Sequence, residues 1–215
     1  HALLYHLLDV AAVAWVMWAQ VLSTSQHMWL RNLLGTEPDD MQRWFAFLAG
    51  LHDIGKATPG FQRKAEPLFE RLLASGLPDE HFDEPHGLLS AVILRHQLNT
   101  LGIDQRAANQ IAAIIGGHHG TWISPAALYH KRAAIGGREW QSLQRQLFEA
   151  MVQTCTVNTI VLPDDEAALN SLLVFLSGFV SVCDWIGSND TYFPYETESI
   201  EPEIYFERAL EQAET

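Results

Sequence analysis

The chain of 215 residues is 48% hydrophobic and has a formal net charge of −13, from 26 acidic and 13 basic side chains. This length fits one sizeable domain with its own core, and the composition excludes a disordered protein. The acidic balance excludes a broad DNA-coating surface, because nonspecific affinity for phosphates comes from clustered lysine and arginine. A nucleic-acid enzyme that holds positive charge locally, as bound metal, remains compatible with it.

Apolar residues recur at helical spacing along almost the whole chain. Pro38, followed by two aspartates, is typical of a helix start, and Asp104 is the expected N-cap of a later helix. The predicted helices span residues 2–22, 38–52, 61–76, 85–102, 104–115, 138–154, 164–187 and 201–213. Only residues 154–163 have strand character, and we interpret them as a connector. The predicted fold class is all-α, a compact helical bundle.

The cysteines and the apolar segments indicate the compartment. Cys155 and Cys183 form no CxxC pair, so the sequence indicates neither a disulfide framework nor a thiolate zinc site. We find no apolar run of the roughly 18 to 20 residues that a membrane helix needs, and no secretory signal. We therefore expect a cytoplasmic protein without a membrane partner.

Histidine is unusually frequent, with ten residues, and several histidines lie near an aspartate in helical segments. Imidazole and carboxylate groups together suit borderline divalent ions such as Mn, Fe, Co, Ni or Zn. The candidate ligands lie in the segments YHLLDVA, LHDIGK, EPHGLLSA, GGHHGTW and SVCDWIGS, and are His6, His52, Asp53, His86, His118, His119 and Asp184.

The adjacent residues His52 and Asp53 end a predicted helix, on which neighbouring side chains point about 100° apart. The two side chains can therefore reach different ions, or Asp53 can bridge two ions while His52 binds one. Lys56 follows His52 by four residues, so on a helix it faces the same side one turn later. A cation there is poorly placed to bind a metal but well placed to hold a phosphate.

Each candidate, taken alone, also has an ordinary structural interpretation. A histidine on an apolar face, such as His6 or His86, is more often a hydrogen-bonded core residue than a ligand. Asp184 can be a cap or an ion-pair partner, since an unpaired buried carboxylate is costly. The pair His118–His119 beside glycines can be a polar turn. We interpret four other histidines as surface or structural residues: His27, His81, His96 and His130.

The order of these segments resembles the HD superfamily of metal-dependent phosphohydrolases, whose minimal signature is H…HD…D. The additional His86 and the His118–His119 pair correspond to binuclear members. Five sequence segments, from His6 to Ser188, are together similar to the HD nuclease domain of the CRISPR-associated nuclease-helicase of type I systems. These segments are HLLDVAAVA, LHDIGKATPGFQ, PHGLLSA, GGHHG and CDWIGS.

The resemblance implies a role for each candidate residue. Two divalent ions, which could be Mn, Fe, Ni, Co or Mg, would share Asp53 as a bridging ligand. One ion would be bound by His6, His52, Asp53 and Asp184, and the other by His86, His118 and His119 together with Asp53. Lys56 would contact the scissile phosphate, and Ser188 is a further candidate for substrate binding.

The resemblance also implies the domain organisation and the activity. Residues 1–215 would form a single HD nuclease domain, whose residues from about 200 lead toward a helicase domain outside this sequence. The sequence begins at His1, which fits a piece of a longer protein. The implied activity is two-metal cleavage of single-stranded DNA, as an endo- and exodeoxyribonuclease in CRISPR type I antiviral defence. The implied partners are that strand, the helicase and a guide-RNA surveillance complex.

Two other functions remain compatible with the sequence. One is an HD phosphohydrolase that acts on nucleotides or cyclic dinucleotides. The cyclic-dinucleotide type would show GYP soon after its HH pair, whereas His119 is followed by GTWISPAAL, and a triphosphohydrolase would need more than 13 basic residues. The other is a noncatalytic helical docking module, whose histidines only satisfy the hydrogen bonding of the core.

Overall fold

Helices form the whole architecture of this computed structural model, which describes residues 2–130, 132–157 and 162–215, without the side chains of residues 130 and 132. Within these ranges the chain forms eleven α-helices and no strand, which confirms the predicted all-α bundle. The helices are α1 (Leu3–Val16), α2 (Thr24–Leu34), α3 (Pro38–Gly50), α4 (Pro59–Gln62), α5 (Glu66–Ala74), α6 (His86–Thr100), α7 (Gln105–Ile115), α8 (Pro125–His130), α9 (Arg138–Thr154), α10 (Glu166–Gly187) and α11 (Pro202–Ala213).

Three helical segments of other types extend these helices. A π-helical turn, Met17–Val21, continues α1, and a 3-10 segment, Arg132–Ile135, precedes α9. The third is the 3-10 segment Leu51–Lys56, which follows α3 directly and contains the His52–Asp53 pair. We call it the HD segment.

Side-chain caps explain where several helices begin. The Asp104 carboxylate accepts from the backbone N–H groups of residues 106 and 107 and so caps α7, as predicted. Asp165 caps α10 in the same way. Ser23 and Gln26 form a reciprocal capping box at the start of α2, in which each side chain bonds the backbone of the other.

The core lies where α1, α3, α6, α7 and α10 meet. Helix α1 packs against α3, α10 and α11, while α6 packs against α7 and the HD segment. Trp140, Phe45 and Phe47 are among the largest fully buried side chains. Burial of each contributes about 2 to 3 kcal/mol relative to an exposed position. This packing holds α1, the HD segment, the start of α6 and the end of α10 against one another.

The structure corrects several predicted boundaries. The helix predicted over 61–76 is two helices, α4 and α5, because Pro67 at the start of α5 lacks an N–H and cannot continue a preceding helix. The helix predicted over 38–52 ends as an α-helix at Gly50. Helices α2 and α8 were not predicted, although the Ser23–Gln26 capping box marks the start of α2. Of the predicted connector, residues 158–161 lie outside the described residues.

Two helical segments are long and apolar enough to cross a membrane by length and composition, which corrects the expectation that no such segment exists. They are Leu3–Val21 and Glu166–Gly187, whose most apolar windows are 61% and 39% buried inside the bundle. A helix buried in a protein core passes the same test, and in α1 the residues from Leu7 to Ala14 are all buried.

Candidate metal centre

All seven predicted ligands meet at one place in the bundle. His6 lies in α1, His52 and Asp53 in the HD segment, and His86 is the first residue of α6. The other three come from the turn after α7, which contains His118 and His119, and from the last turn of α10, which contains Asp184. Their ligand atoms form two groups, and within each group all atoms lie within 4.8 Å of one another.

We name the two groups by their chemistry. The carboxylate group consists of His6, His52, Asp53 and Asp184, and the histidine group consists of His86, His118 and His119. This division is the same as the one that the family resemblance implies for two ions. The ligand roles themselves stay a prediction, which we develop below.

Close contacts between backbones bring the elements together. A Cβ atom at Gly55 would collide with the carbonyl of His86, and the Gly55 N–H donates to Ser90 Oγ at 2.8 Å. A Cβ atom at Gly87 would likewise collide with the carbonyl of Gly116, and one at Gly116 with the carbonyl of Gly87. Glycine at these positions therefore lets the HD segment and the turn after α7 approach the start of α6.

Asp53 lies at the centre of the site, and its two oxygens face different groups. Oδ2 accepts a hydrogen bond from His6 Nε2 at 3.0 Å and lies 3.2 Å from His52 Nε2. Oδ1 faces the histidine group, at 3.1 Å from His86 Nε2 and 3.5 Å from His118 Nε2. The Asp53 side chain is 3% exposed, so this carboxylate depends on its protein neighbours for stabilisation.

Two buried histidines hold a proton on Nδ1 and direct Nε2 at the centre. His52 Nδ1 lies 2.9 Å from the carbonyl of Ala49, and His118 Nδ1 lies 2.9 Å from the carbonyl of Ile115. A carbonyl only accepts hydrogen bonds, so each Nδ1 carries a proton, and in the neutral ring Nε2 offers a lone pair. Metal-binding histidines are commonly fixed in this way by a backbone carbonyl.

Three buried atoms that face the centre have no hydrogen-bond partner of good geometry within the described part of the chain. His52 Nε2, His118 Nε2 and Asp53 Oδ1 are buried, and none has a hydrogen-bond partner among the described residues. His52 Nε2 also lies 3.1 Å from Asp184 Oδ1, so in the neutral form of His52 its lone pair faces the lone pairs of a carboxylate at short distance. A bound cation satisfies such acceptors, and imidazole with carboxylate is a donor set for borderline divalent metals. The residues therefore fit divalent ions at this site.

The remaining histidines of the second group are more open. His119 Nε2 lies 3.0 Å from His86 Nε2, and the two rings meet edge to face. His118 is buried, whereas the His86 side chain is 22% exposed and His119 is exposed. The histidine group is therefore the more solvent-exposed side of the centre.

The two buried histidines have opposite pKa shifts. Burial lowers the pKa of His52, but the carboxylates of Asp53 and Asp184 outweigh this effect and raise it to about 9. Burial and the nearby charge of His52 lower the pKa of His118 to about 4. Burial alone would raise the pKa of both carboxyl groups, and their histidine neighbours hold it well below its ordinary value. Without metal, a protonated His52 therefore balances part of the negative charge.

Lys56 contacts Asp53 rather than sharing a face with His52. Its Nζ forms an ion pair with Asp53 Oδ2. The predicted α-helical geometry is wrong here because the HD segment is a 3-10 helix, in which side chains three residues apart eclipse one another. The Lys56 side chain is 26% exposed, so its ammonium group remains accessible from solvent.

Two serines contact the site, Ser181 in α10 and Ser188 directly after it. Ser188 Oγ donates to Asp184 Oδ1 at 2.7 Å, so the structure gives this residue a contact with a predicted ligand. Its predicted role in substrate binding stays a prediction. Ser181 was not identified from the sequence. Its Oγ lies 2.9 Å from the carbonyl of His118 and 3.0 Å from that of Ser177.

The other histidines lie elsewhere. His27, His81 and His96 belong to neither ligand group of the described residues, in agreement with their interpretation as surface or structural residues. His27 packs its ring against Trp18, with centroids 4.9 Å apart, and His81 is largely exposed. The side chain of His130 lies outside the described part of the chain.

The fold and the site together define an all-α domain of the HD type, built around a shared aspartate and five histidines. The family profile described as "Cas3, HD domain" matches residues 1–193, and the chain belongs to this family.

Known proteins agree with this assignment. The chain is 31% identical to the CRISPR-associated endonuclease/helicase Cas3 of Thermus thermophilus over an alignment of 199 residues. This alignment covers 91% of this chain and 22% of that protein. It spans less than a quarter of the length of each curated relative that it matches. These relatives therefore contain a large part with no counterpart in this chain.

Three solved structures show the same fold. A crystal structure of a CRISPR-associated protein has a TM-score of 0.88 and 36% identity, over the whole of this chain and 24% of the other. The Thermus thermophilus Cas3 HD domain in the presence of Ni²⁺ has a TM-score of 0.75 and 27% identity, over all of this chain and 82% of that one. A chain of a CRISPR RNA-guided surveillance complex, pre-nicking, has a TM-score of 0.79 and 25% identity, over 98% of this chain and 26% of that one.

Proposed function

We propose that this chain is a metal-dependent nuclease that hydrolyses phosphodiester bonds of single-stranded DNA with two divalent ions, in CRISPR type I interference. The observation that carries the proposal is the position of Asp53, whose Oδ2 faces the carboxylate group and whose Oδ1 faces the histidine group. One carboxylate between two sets of donor atoms is the arrangement that a binuclear site needs.

The residues have distinct roles in this proposal. The carboxylate group would hold one ion, and the histidine group together with Asp53 would hold the other. When bound, two such ions supply Lewis-acid activation of water and neutralise the charge that develops on a phosphodiester. His52 and His118 keep their lone pairs directed at the centre, because the carbonyls of residues 49 and 115 hold the Nδ1 protons.

Lys56 and the exposed histidines form the substrate side of the site. Lys56 is the candidate for binding a non-bridging oxygen of the scissile phosphate, since its ammonium group lies beside Asp53 and remains partly exposed. A phosphate oxygen beside Lys56 would accept a charge-assisted hydrogen bond from its ammonium group. In a chain of net charge −13, this positive charge acts locally.

The proposed partners follow from the relatives. The Thermus thermophilus relative is named an endonuclease/helicase, and one matching chain belongs to a CRISPR RNA-guided surveillance complex. We propose that this chain acts beside a helicase, which supplies an unpaired strand, and is recruited by a surveillance complex of that kind. Location in a reducing cytoplasm fits the two cysteines, which are both buried and unpaired.

To test this proposal, the purified chain is reloaded with Mn²⁺ or Ni²⁺ and incubated with three substrates in parallel. These are a labelled single strand of DNA, deoxynucleoside triphosphates and a cyclic dinucleotide. The proposal predicts short fragments from the strand only, and none after chelation. Asp53→Asn should reduce the cleavage by roughly 10³-fold. Asp104→Asn is the matched control, because asparagine caps a helix as well as aspartate does. Turnover of the nucleotides or of the cyclic dinucleotide alone would overturn the proposal.

A further inference from the structure

An aromatic ring lies directly beside the histidine group. Phe61, from the ATPGFQ segment that follows the HD segment, lies in α4 and is partly exposed. Its ring centroid is 5.5 Å from that of His86, with an angle of 71° between the planes. Since His86 Nε2 lies 3.1 Å from Asp53 Oδ1, Phe61 is separated from the centre by a single imidazole.

Two lysines accompany this ring. Lys56 Nζ lies 5.6 Å from the Phe61 centroid, and Lys64 Nζ lies 5.2 Å from it. Lys64 is exposed and forms no ion pair among the described residues, whereas Lys56 is paired with Asp53. No acidic residue occurs between Asp53 and Glu66. Two ammonium groups therefore flank the aromatic ring, and that of Lys64 forms no ion pair among the described residues.

Several contacts hold α4 in place. Gly60 abuts the carbonyl of Phe82, where a Cβ atom would collide, and Gln62 Nε2 donates to the carbonyl of Lys56 at 2.8 Å. Arg63 is turned away from the lysines, since it pairs with Asp79 and stacks on Phe69 at 4.8 Å. These contacts fix the position of Phe61 relative to the HD segment.

We infer that Phe61 and Lys64 form a binding subsite for the unpaired strand next to the scissile phosphate. A base stacks on the Phe61 ring, Lys64 binds a phosphate farther from the centre, and Lys56 binds the phosphate nearer to it. Aromatic stacking accepts every base, so this subsite binds a strand without reading its sequence. The inference rests on the proposed function and adds to it the residues that guide the strand.

Binding is measured without cleavage, by fluorescence anisotropy of a labelled oligothymidylate in the presence of a chelator. Phe61→Leu keeps an apolar side chain but removes the aromatic face, and it should weaken binding roughly 5- to 100-fold. Lys64→Gln should weaken binding and reduce the salt dependence by about one phosphate contact. Arg145→Gln removes the same charge from an exposed position on α9, and it should leave affinity and salt dependence unchanged.

A second comparison separates stacking from loss of structure. Phe61→Trp should retain or improve affinity, and a strand of abasic residues should bind Phe61→Leu and the unaltered chain equally. A duplex, whose bases are already stacked, should also not distinguish the two proteins. Equal affinity of Phe61→Leu and the unaltered chain for oligothymidylate would overturn the inference, as would no binding at all. Binding with these properties but without cleavage after metal loading would overturn only the proposed nuclease function.

Discussion

The two ligand groups of the centre differ in charge and in exposure. The carboxylate group contains Asp53 and Asp184, and its His52 is fully buried. The histidine group contains no carboxylate of its own, and its His119 is exposed. The pKa values differ accordingly, since that of His52 is raised to about 9 and that of His118 is lowered to about 4.

This difference in charge and exposure predicts a difference in metal affinity between the two groups. Two carboxylates offset the loss of hydration when a cation enters a buried site, so we expect the carboxylate group to bind its ion more tightly. The histidine group has neutral nitrogen donors and gains negative charge only from Asp53 Oδ1. Its ion should bind more weakly, but on the side that a substrate reaches.

Substitution of Asp53 should have the largest effect, because its two carboxylate oxygens face the two different groups. Asp53→Asn should reduce cleavage by roughly 10³-fold and remove both ions. Metal analysis after reloading should then find fewer than one ion per chain, while the circular dichroism stays helical. An Asp53→Asn protein that retains two ions would show that the groups do not depend on this carboxylate.

Variants of one group at a time should separate the two ions. Asp184→Asn should release the ion of the carboxylate group, and His119→Gln should release only the ion of the histidine group. Each variant should retain about one ion and lose on the order of 10²-fold in cleavage. Metal titration by calorimetry checks the assignment, and loss of both ions in His119→Gln would contradict it.

The stability of the metal-free chain should depend on pH through the two buried histidines in opposite directions. The folded pKa of His52 is raised to about 9, so its contribution is complete below the unfolded value of 6.5 and is lost as the pH rises through 9. The folded pKa of His118 is lowered to about 4, so stability falls as the pH falls from 6.5 toward 4. Each effect is at most about 3 kcal/mol.

Thermal unfolding in the presence of a chelator measures this dependence. The loss above pH 6.5 should be absent in His52→Gln, and the loss below it should be reduced in His118→Gln. Metal loading requires a neutral His52, so it should also abolish the loss at high pH. A metal-free protein whose stability does not change between pH 6.5 and 9 would contradict the charge assigned to His52.

Ser188 and Ser181 should give the smallest effects, one for each group. Ser188→Ala removes the hydroxyl that donates to Asp184 Oδ1, and it should weaken the ion of the carboxylate group by about 10-fold. Ser181→Ala removes the hydroxyl near the carbonyl of His118 and should affect only the ion of the histidine group. Competition with a fluorescent chelator measures both affinities. Equal effects of the two variants on both ions would contradict the separation of the groups.

The sequence identifies which residues meet in the site better than it describes how they meet. The five ligand segments could be found because the pattern of histidine and aspartate is a family signature. The 3-10 geometry of the HD segment could not, because α and 3-10 helices share side-chain preferences and differ only in backbone winding. The contact between Lys56 and Asp53 depends on that winding, and the α-helical geometry expected from the sequence placed Lys56 on the face of His52 instead.

The other features of the site that the sequence did not predict depend on contacts between distant segments. Ser181 approaches His118 only because α10 packs beside the turn after α7, and no local pattern marks this contact. Phe61 was part of a segment quoted for the family resemblance, yet its place beside His86 depends on the short helix α4 and on the position of Gly60. In contrast, the split between α4 and α5 has a local cause, Pro67, which is a helix-breaking signal visible in the sequence itself.

The most direct test of the shared aspartate is anomalous X-ray diffraction from crystals loaded with Mn²⁺. The account predicts two anomalous peaks, one next to the carboxylate group and one next to the histidine group, each about 2.2 Å from a different oxygen of Asp53. A single peak, or two peaks of which one does not contact Asp53, would contradict it.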